Sequence, residues 1–171
     1  MFINLNQNKN LKLFKIISEV ASRNGQTVYA VGGFVRDLIM KRKVPTDIDF
    51  VTESSGIELA ESIAREIDPK TKVAVFKTYG TAMFKYKDLE LEFVGARKES
   101  YSEDSRKPSV EIGTIEDDQK RRDFTINAMA ISLNKENFGE LIDPFDGLQD
   151  LKKKILRTPL EPHQTYSDDP L

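Results

Sequence analysis

Tyr29-Ala-Val-Gly-Gly-Phe-Val-Arg-Asp-Leu-Ile-Met40, followed past a basic patch by Val44-Pro-Thr-Asp-Ile-Asp-Phe-Val-Thr-Glu53, decides how the whole chain is read. Residues 26–31 predict a strand that ends in Gly32-Gly33. Residues 34–40 predict a short helix with Arg36 on its first turn. Residues 46–52 predict a second strand carrying Asp47 and Asp49. Neither glycine has a Cβ, so the backbone there can approach a bulky anion closely. The N–H groups that open the next helix point at such an anion, and Arg36 adds a planar fork that matches phosphate oxygens. Asp47 and Asp49 flank Ile48, so on a strand both carboxylates share one face and Ile48 takes the other. Hard carboxylate oxygens beside a phosphate cradle suit magnesium bridged to phosphate. The stretch therefore indicates a metal-dependent nucleotide site.

Each piece taken singly has a plainer meaning. Gly-Gly after a strand is commonly a tight turn, Asp-x-Asp is commonly a solvated strand edge, and Arg36 beside Asp37 is ordinary helix-surface charge. Their concurrence within one strand–helix–strand unit outweighs those readings. Two better-known nucleotide motifs are excluded. No Gly-Lys-Ser/Thr follows the glycines, and no third glycine falls in register for a dinucleotide fingerprint.

The 171 residues allow one domain of ordinary size. A formal net charge of −2 offers no global basic field for nucleic acid, so any RNA contact must be local. The absence of cysteine rules out disulfides and thiolate metal sites and fits a reducing, cytoplasmic setting. No apolar run approaches a membrane span, and the N-terminus lacks the layout of a secretion signal. The one histidine, His163, has no His or Cys nearby to share a ligand set and reads as a surface or packing residue.

Elsewhere the periodicity is clear. Leu13, Ile16, Ile17, Val20 and Ala21 predict an amphipathic helix over residues 8–23, capped by the asparagines upstream and stopped by Asn24-Gly25. Ser55 to Glu58 resembles a capping box opening a helix that runs to Ile67. Strands are predicted over residues 73–76, 81–86 and 89–94, the last two joined as a hairpin by Lys87-Asp88. In the last of these, Glu90 and Glu92 share the face opposite Leu89, Leu91 and Phe93. They are either the wet face of an amphipathic strand or the source of a third carboxylate. Residues 98–113 are polar without a period and read as a long loop of weak order. Thr114 to Asp117 reads as an N-cap with first-turn acids, and Lys120 to Arg122 as the last turn of that helix. Short strands are predicted over residues 128–133, 140–142 and 155–157, and a basic helix over 149–153.

The Gly32-Gly33-Phe-Val-Arg-Asp37 element, the Asp47-Ile-Asp49 strand and the run Arg121-Arg-Asp-Phe-Thr-Ile-Asn-Ala-Met-Ala130, in that order, resemble the class II tRNA nucleotidyltransferase/poly(A) polymerase family. Within it they look most like the bacterial CCA-adding enzymes. The resemblance runs from about Val28 to the last residue. It implies a nucleotidyltransferase (polymerase beta-like) α/β fold: a mixed, mostly antiparallel sheet of about five strands with flanking helices. It divides the chain into an N-terminal helix (1–25), a catalytic head (26–158) and the start of a connection to a neck domain (159–171). The implied reaction adds CCA, or part of it, to the 3′ end of tRNA from CTP and ATP. Asp47, Asp49 and Glu92 would be catalytic, with Asp47 and Asp49 holding two Mg²⁺ ions. Gly32, Gly33, Arg36, Arg122, Asp123 and Asn127 would bind the nucleotide, and the 98–113 loop would close over it. The tRNA would be gripped mainly by domains outside this chain, where base selection would also reside. A poly(A) polymerase, a specialist that adds only CC or only A, and a non-catalytic nucleotide-binding module carry the same motifs.

Overall fold

The computed structural model describes residues 1–6, 8–42, 46–100, 109–163 and 165. The expected N-terminal helix forms as α1 (Leu11–Arg23), with Leu13, Phe14, Ile17, Val20 and Ala21 buried at helical spacing. Its start departs from expectation. Asn10 occupies the N-cap without a side-chain cap bond, and Asn8 Oδ1 instead accepts from the Asn10 amide at 2.8 Å. Gly25, at φ +66°, lets the chain reverse after it.

The order that follows is β1 (Tyr29–Val31), α2 (Gly33–Ile39), β2 (Asp47–Thr52), α3 (Gly56–Ile67), β3 (Ala74–Phe76), β4 (Thr81–Tyr86) and β5 (Leu89–Gly95). Then come β6 (Arg97–Ser100), β7 (Ser109–Ile112), α4 (Ile115–Lys120), β8 (Ala130–Ser132), β9 (Leu141–Ile142) and α5 (Gly147–Lys153). One mixed sheet runs β3-β4-β5-β2-β1-β8-β9, and β6 pairs separately with β7. Within the large sheet only β2 and β5 are parallel. The expected α/β sheet is therefore present, with seven strands rather than five, because the short strands β3 and β9 extend its edges. Among the described residues no helix is long and apolar enough to cross a membrane.

Two predicted segments differ. Residues 98–113 are not one loop: Arg97 to Ser100 pair antiparallel with Ser109 to Ile112. Each strand is only four residues long, and of the two only Ser109 to Ile112 alternates polar with apolar, too short a run to stand out as a period-2 signal. Its tip, residues 101–108, and the weak order expected there lie outside the described residues. Residues 155–157 form no strand; the Arg157 carbonyl accepts from the Thr125 amide at 2.8 Å instead.

The core lies between the sheet and helices α1 and α3. Ile48, Phe50, Leu91, Phe93 and Phe84 are all buried in it. Phe50 and Phe93 stack at 4.8 Å, Phe84 and Phe93 at 5.7 Å, and Phe14 meets Phe50 edge-on at 6.4 Å. Removing one such ring typically costs about 3–5 kcal/mol. That burial fixes the strand register, because a one-residue slip would turn the carboxylates inward. It thereby commits Asp47, Asp49, Glu90 and Glu92 to the other face. There a smaller cluster of Tyr29, Val31, Val51, Ala96 and Ala130 receives Ile115 of α4.

Candidate active site

The parallel register sets Asp47 beside Glu90 and Asp49 beside Glu92. The two glutamates are not equivalent. Glu90 lies opposite Lys85 on β4, whose Nζ is 3.0 Å from Glu90 Oε1, whereas Glu92 lies opposite Met83. On the other side of β2, antiparallel β1 places Val31 against Asp49, so the chain enters Gly32 next to that carboxylate.

Gly32 adopts φ +71° and ψ −142°, a conformation reserved for glycine. A Cβ on it would stand 3.2 Å from Arg122 Nη1 and 3.7 Å from Asp49 Oδ2. One on Gly33 would stand 3.6 Å from Arg36 Nη2. The glycine pair is thus the floor beneath two guanidinium groups, with Asp49 at its edge.

Each guanidinium is oriented by the protein. Arg36 donates through Nε to Asp37 Oδ1 at 3.0 Å and through Nη1 to Asn127 Oδ1 at 2.7 Å. Asn127 Nδ2 donates onward to both oxygens of Asp123, at 3.1 and 3.2 Å. Asp123 Oδ1 also accepts from the Phe124 amide at 2.7 Å. A 3₁₀ turn over Thr125–Asn127 brings Asn127 back toward Asp123. Arg122 donates through Nε and Nη2 to a single oxygen, Asp118 Oδ2, at 3.0 and 2.8 Å.

Electrostatics follow from this crowding. Burial pushes the Asp49 carboxyl above its ordinary range, Arg122 pulls against that shift, and Asp47 and Asp118 reinforce it. Partial burial and then the charge of Asp49 push Glu92 up as well. Among the described residues no three His, Cys, Asp or Glu side chains converge into a metal cage. Exposed Asp47 and half-buried Asp49 on one strand face offer only hard oxygens. That donor set fits magnesium held by one or two carboxylates, with phosphate oxygens and water completing its shell.

Gly32, Gly33, Arg36, Asp49, Arg122, Asp123 and Asn127 therefore gather along one surface, with Glu92 on the adjoining strand and Asp47 at the open end of β2. Sequence reading overlooked Asp118, the buried partner of Arg122. The signal was present as an acid–arginine pair at i,i+4, a spacing that puts both side chains on one helix face.

The chain is 47% identical over 143 residues to an A-adding tRNA nucleotidyltransferase of Aquifex aeolicus, covering 84% of the chain and 17% of that protein. It is 38% identical over 149 residues to a CCA-adding enzyme of Bacillus velezensis, covering 86% of the chain and 35% of that protein. It is also similar to a tRNA nucleotidyltransferase structure complexed with a primer tRNA and an incoming ATP analogue. That match has a TM-score of 0.75 and 41% identity, and covers 90% of this chain and 41% of the other. The chain thus spans well under half the length of these relatives. The family described as the poly A polymerase head domain matches residues 28–157, a span that holds both glycines, both strand aspartates, Glu92 and the Arg121–Asn127 run. The chain belongs to the poly A polymerase head-domain family.

Proposed function

We propose that this chain is the catalytic head of a template-independent RNA nucleotidyltransferase that adds CCA, or part of it, to tRNA 3′ ends from CTP and ATP. The 3′ hydroxyl of the RNA loses its proton to solvent, its oxygen bonds to the α-phosphorus as the bond to the bridging oxygen breaks, and pyrophosphate leaves with that bond's electron pair. One observation carries the reading: Asp49 lies at the rim of a glycine floor covered by Arg122 and Arg36. That places anion-binding and cation-binding groups side by side, which polyphosphate transfer needs.

Asp47 and Asp49 would hold the metal, with Glu92 assisting. Two magnesium ions, when bound, would supply Lewis acidity at the attacking hydroxyl and charge neutralisation on the triphosphate. Gly32 and Gly33 keep side-chain bulk away from the phosphates. Arg36 and Arg122 supply fixed positive charge to them. Asp123 retains acceptor capacity for ribose hydroxyls, and Asn127 keeps Asp123 and Arg36 apart and oriented. Charge of both signs is thus prearranged by the protein, with no need of a histidine base. A cysteine-free chain acting on tRNA fits the cytoplasm.

A second reading has its own support: the 47% identical relative is named for A addition. Under that reading the donor is ATP alone. Both are tested with the full-length enzyme carrying this head, given tRNA ending before C74, after C74 or after C75, with CTP or ATP supplied singly. Magnesium-dependent incorporation is expected, and Asp47→Ala is expected to abolish it. Near-normal incorporation by Asp47→Ala overturns the metal assignment. Incorporation of ATP alone, only onto tRNA ending in CC, selects the A-adding reading, and extension of generic RNA primers selects a poly(A) polymerase.

A further inference from the structure

The six-residue helix α4 is anchored more firmly than its length requires. At its start Thr114 and Asp117 close a reciprocal capping box. The Ile115 amide also donates to Glu53 Oε1 at 2.8 Å, tying the helix to the end of β2. At its end the buried Gln119 donates through Nε2 to the carbonyls of Ala128 at 2.6 Å and Ile142 at 3.1 Å. Between these anchors stands Asp118, which is also buried.

Asp118 Oδ2 takes both Nε and Nη2 of Arg122. A guanidinium is planar, so gripping that edge fixes the direction of the remaining nitrogen. The remaining nitrogen, Nη1, is the atom that lies over Gly32 on the side of Asp49. Arg122 Nη1 and Asp49 Oδ2 flank the same point above Gly32, and the Asp49 carboxyl already feels Arg122, so Asp49 is a carboxylate that Arg122 could turn to if Asp118 were removed. Arg122 would then fall onto the oxygen that the metal needs.

We propose that Asp118 is the positioning residue of this site: it holds one edge of Arg122 so that Nη1 faces the phosphates across Gly32 and does not close onto Asp49. This inference rests on the nucleotide reading above. α4 and its anchors serve as the rigid mount, and Asp118 transmits that rigidity to Arg122. The role is separate from catalysis, because Asp118 is placed to touch Arg122 and not the substrate.

The test uses the full chain with Asp118→Asn, Asp118→Ala, Arg122→Ala and the Asp118→Ala/Arg122→Ala double variant. The first readout is the Arg122 Nε–H resonance in ¹⁵N NMR without nucleotide. It should be sharp and slow to exchange in the parent chain, broadened or lost in Asp118→Ala, which removes both acceptor oxygens, and intermediate in the nearly isosteric Asp118→Asn, whose amide oxygen can still accept. The second is titration with a non-hydrolysable ATP analogue and magnesium. Asp118→Ala and Arg122→Ala should each weaken binding roughly tenfold, as expected for one charge-assisted contact. The double variant should be no weaker than either single one, because the two residues act as a unit. The magnesium needed for half-maximal binding should rise in Asp118→Ala and return in the double variant, a reversal that loss of a merely structural contact would not produce. An Arg122 resonance unchanged in Asp118→Ala, or losses that multiply in the double variant, overturns the inference. If the parent chain binds no analogue at all, the nucleotide reading fails, and the resonance alone decides the role of Asp118.

Discussion

Asp49 of β2 and Glu92 of β5 are direct partners across the sheet's parallel strand pair. Glu92 is pushed up by burial and by Asp49. Asp49 is pushed up by burial, with Asp47 and Asp118 adding to the shift and Arg122 opposing it. The fold thus holds negative charge where it is uncomfortable without a cation.

A pH signature follows. A carboxyl whose folded pKa is raised keeps a proton that the unfolded chain has already lost. Stability from these groups therefore falls as pH climbs from their ordinary values of 3.8 and 4.5 through the raised ones. Magnesium should raise the melting temperature at neutral pH, and that increment should shrink as pH falls through the raised values of Asp49 and Glu92 and protons compete with the cation. Asp49→Asn should melt higher than the parent chain at neutral pH without metal, and should lose most of the magnesium increment. Thermal melts across pH, with and without magnesium, check this. An increment left intact by Asp49→Asn would place the cation elsewhere.

Glu90 and Glu92 should behave differently although they share a strand face. Glu90 is paired with Lys85 at an exposed position, a contact typically worth about 0–1 kcal/mol. Glu90→Gln should therefore leave both stability and nucleotidyl transfer close to those of the parent. Glu92→Gln should lower transfer and raise the magnesium requirement, while melting no lower than the parent chain. Steady-state rates against magnesium concentration in the full-length enzyme separate the two. Equal losses in both variants would mean that the strand face, and not Glu92 in particular, matters.

The sheet and much of the site are legible in the sequence because they obey local periods. Ile48 and Phe50 alternate with Asp47 and Asp49, and Leu91 and Phe93 with Glu90 and Glu92, so inward and outward faces follow from the pleat. The choice between the glutamates was also within reach. A hairpin turning at Lys87-Asp88 pairs Tyr86 with Leu89, and Lys85 with Glu90 follows from that. What local rules do not carry is long-range register. The parallel pairing that puts Glu92 beside Asp49 joins strands separated in sequence by α3 and a hairpin. The mount of α4 depends on Glu53, Ala128 and Ile142, which come from three other segments. The N-cap at Thr114 was readable, whereas the anchoring that holds this short helix in place appears only once those segments have met.

Gly32→Ala should damage the site in two ways at once. The backbone sits at φ +71° and ψ −142°, where a side chain costs about 1–3 kcal/mol. The new methyl would also stand 3.2 Å from Arg122 Nη1, tighter than ordinary contact, and push that group from its place. Binding of ATP with magnesium should fall together with stability. Gly25→Ala supplies the comparison. Its backbone is also left-handed, at φ +66°, but its Cβ would meet nothing within 4 Å. It should lose stability alone and keep its nucleotide affinity. Urea denaturation with parallel calorimetric titration distinguishes them; equal affinities for the two variants would mean that the space over Gly32 is not used by the ligand.

Asn127 links a cation to an anion. Its Oδ1 accepts from Arg36 and its Nδ2 donates to Asp123. Asn127→Ala removes both contacts and should cost about 1–3 kcal/mol of stability as the half-buried Arg36 loses an acceptor. Asn127→Asp has the opposite balance. The new carboxylate pairs with Arg36, restoring part of the stability, but it stands beside Asp123 and cancels positive charge over Gly33. It should therefore fold better than Asn127→Ala and bind a triphosphate worse. Melting temperature and ATP affinity, measured on the same two proteins, should rank them in opposite orders. The same ranking in both measurements would reduce Asn127 to a packing residue and leave Arg36 oriented by Asp37 alone.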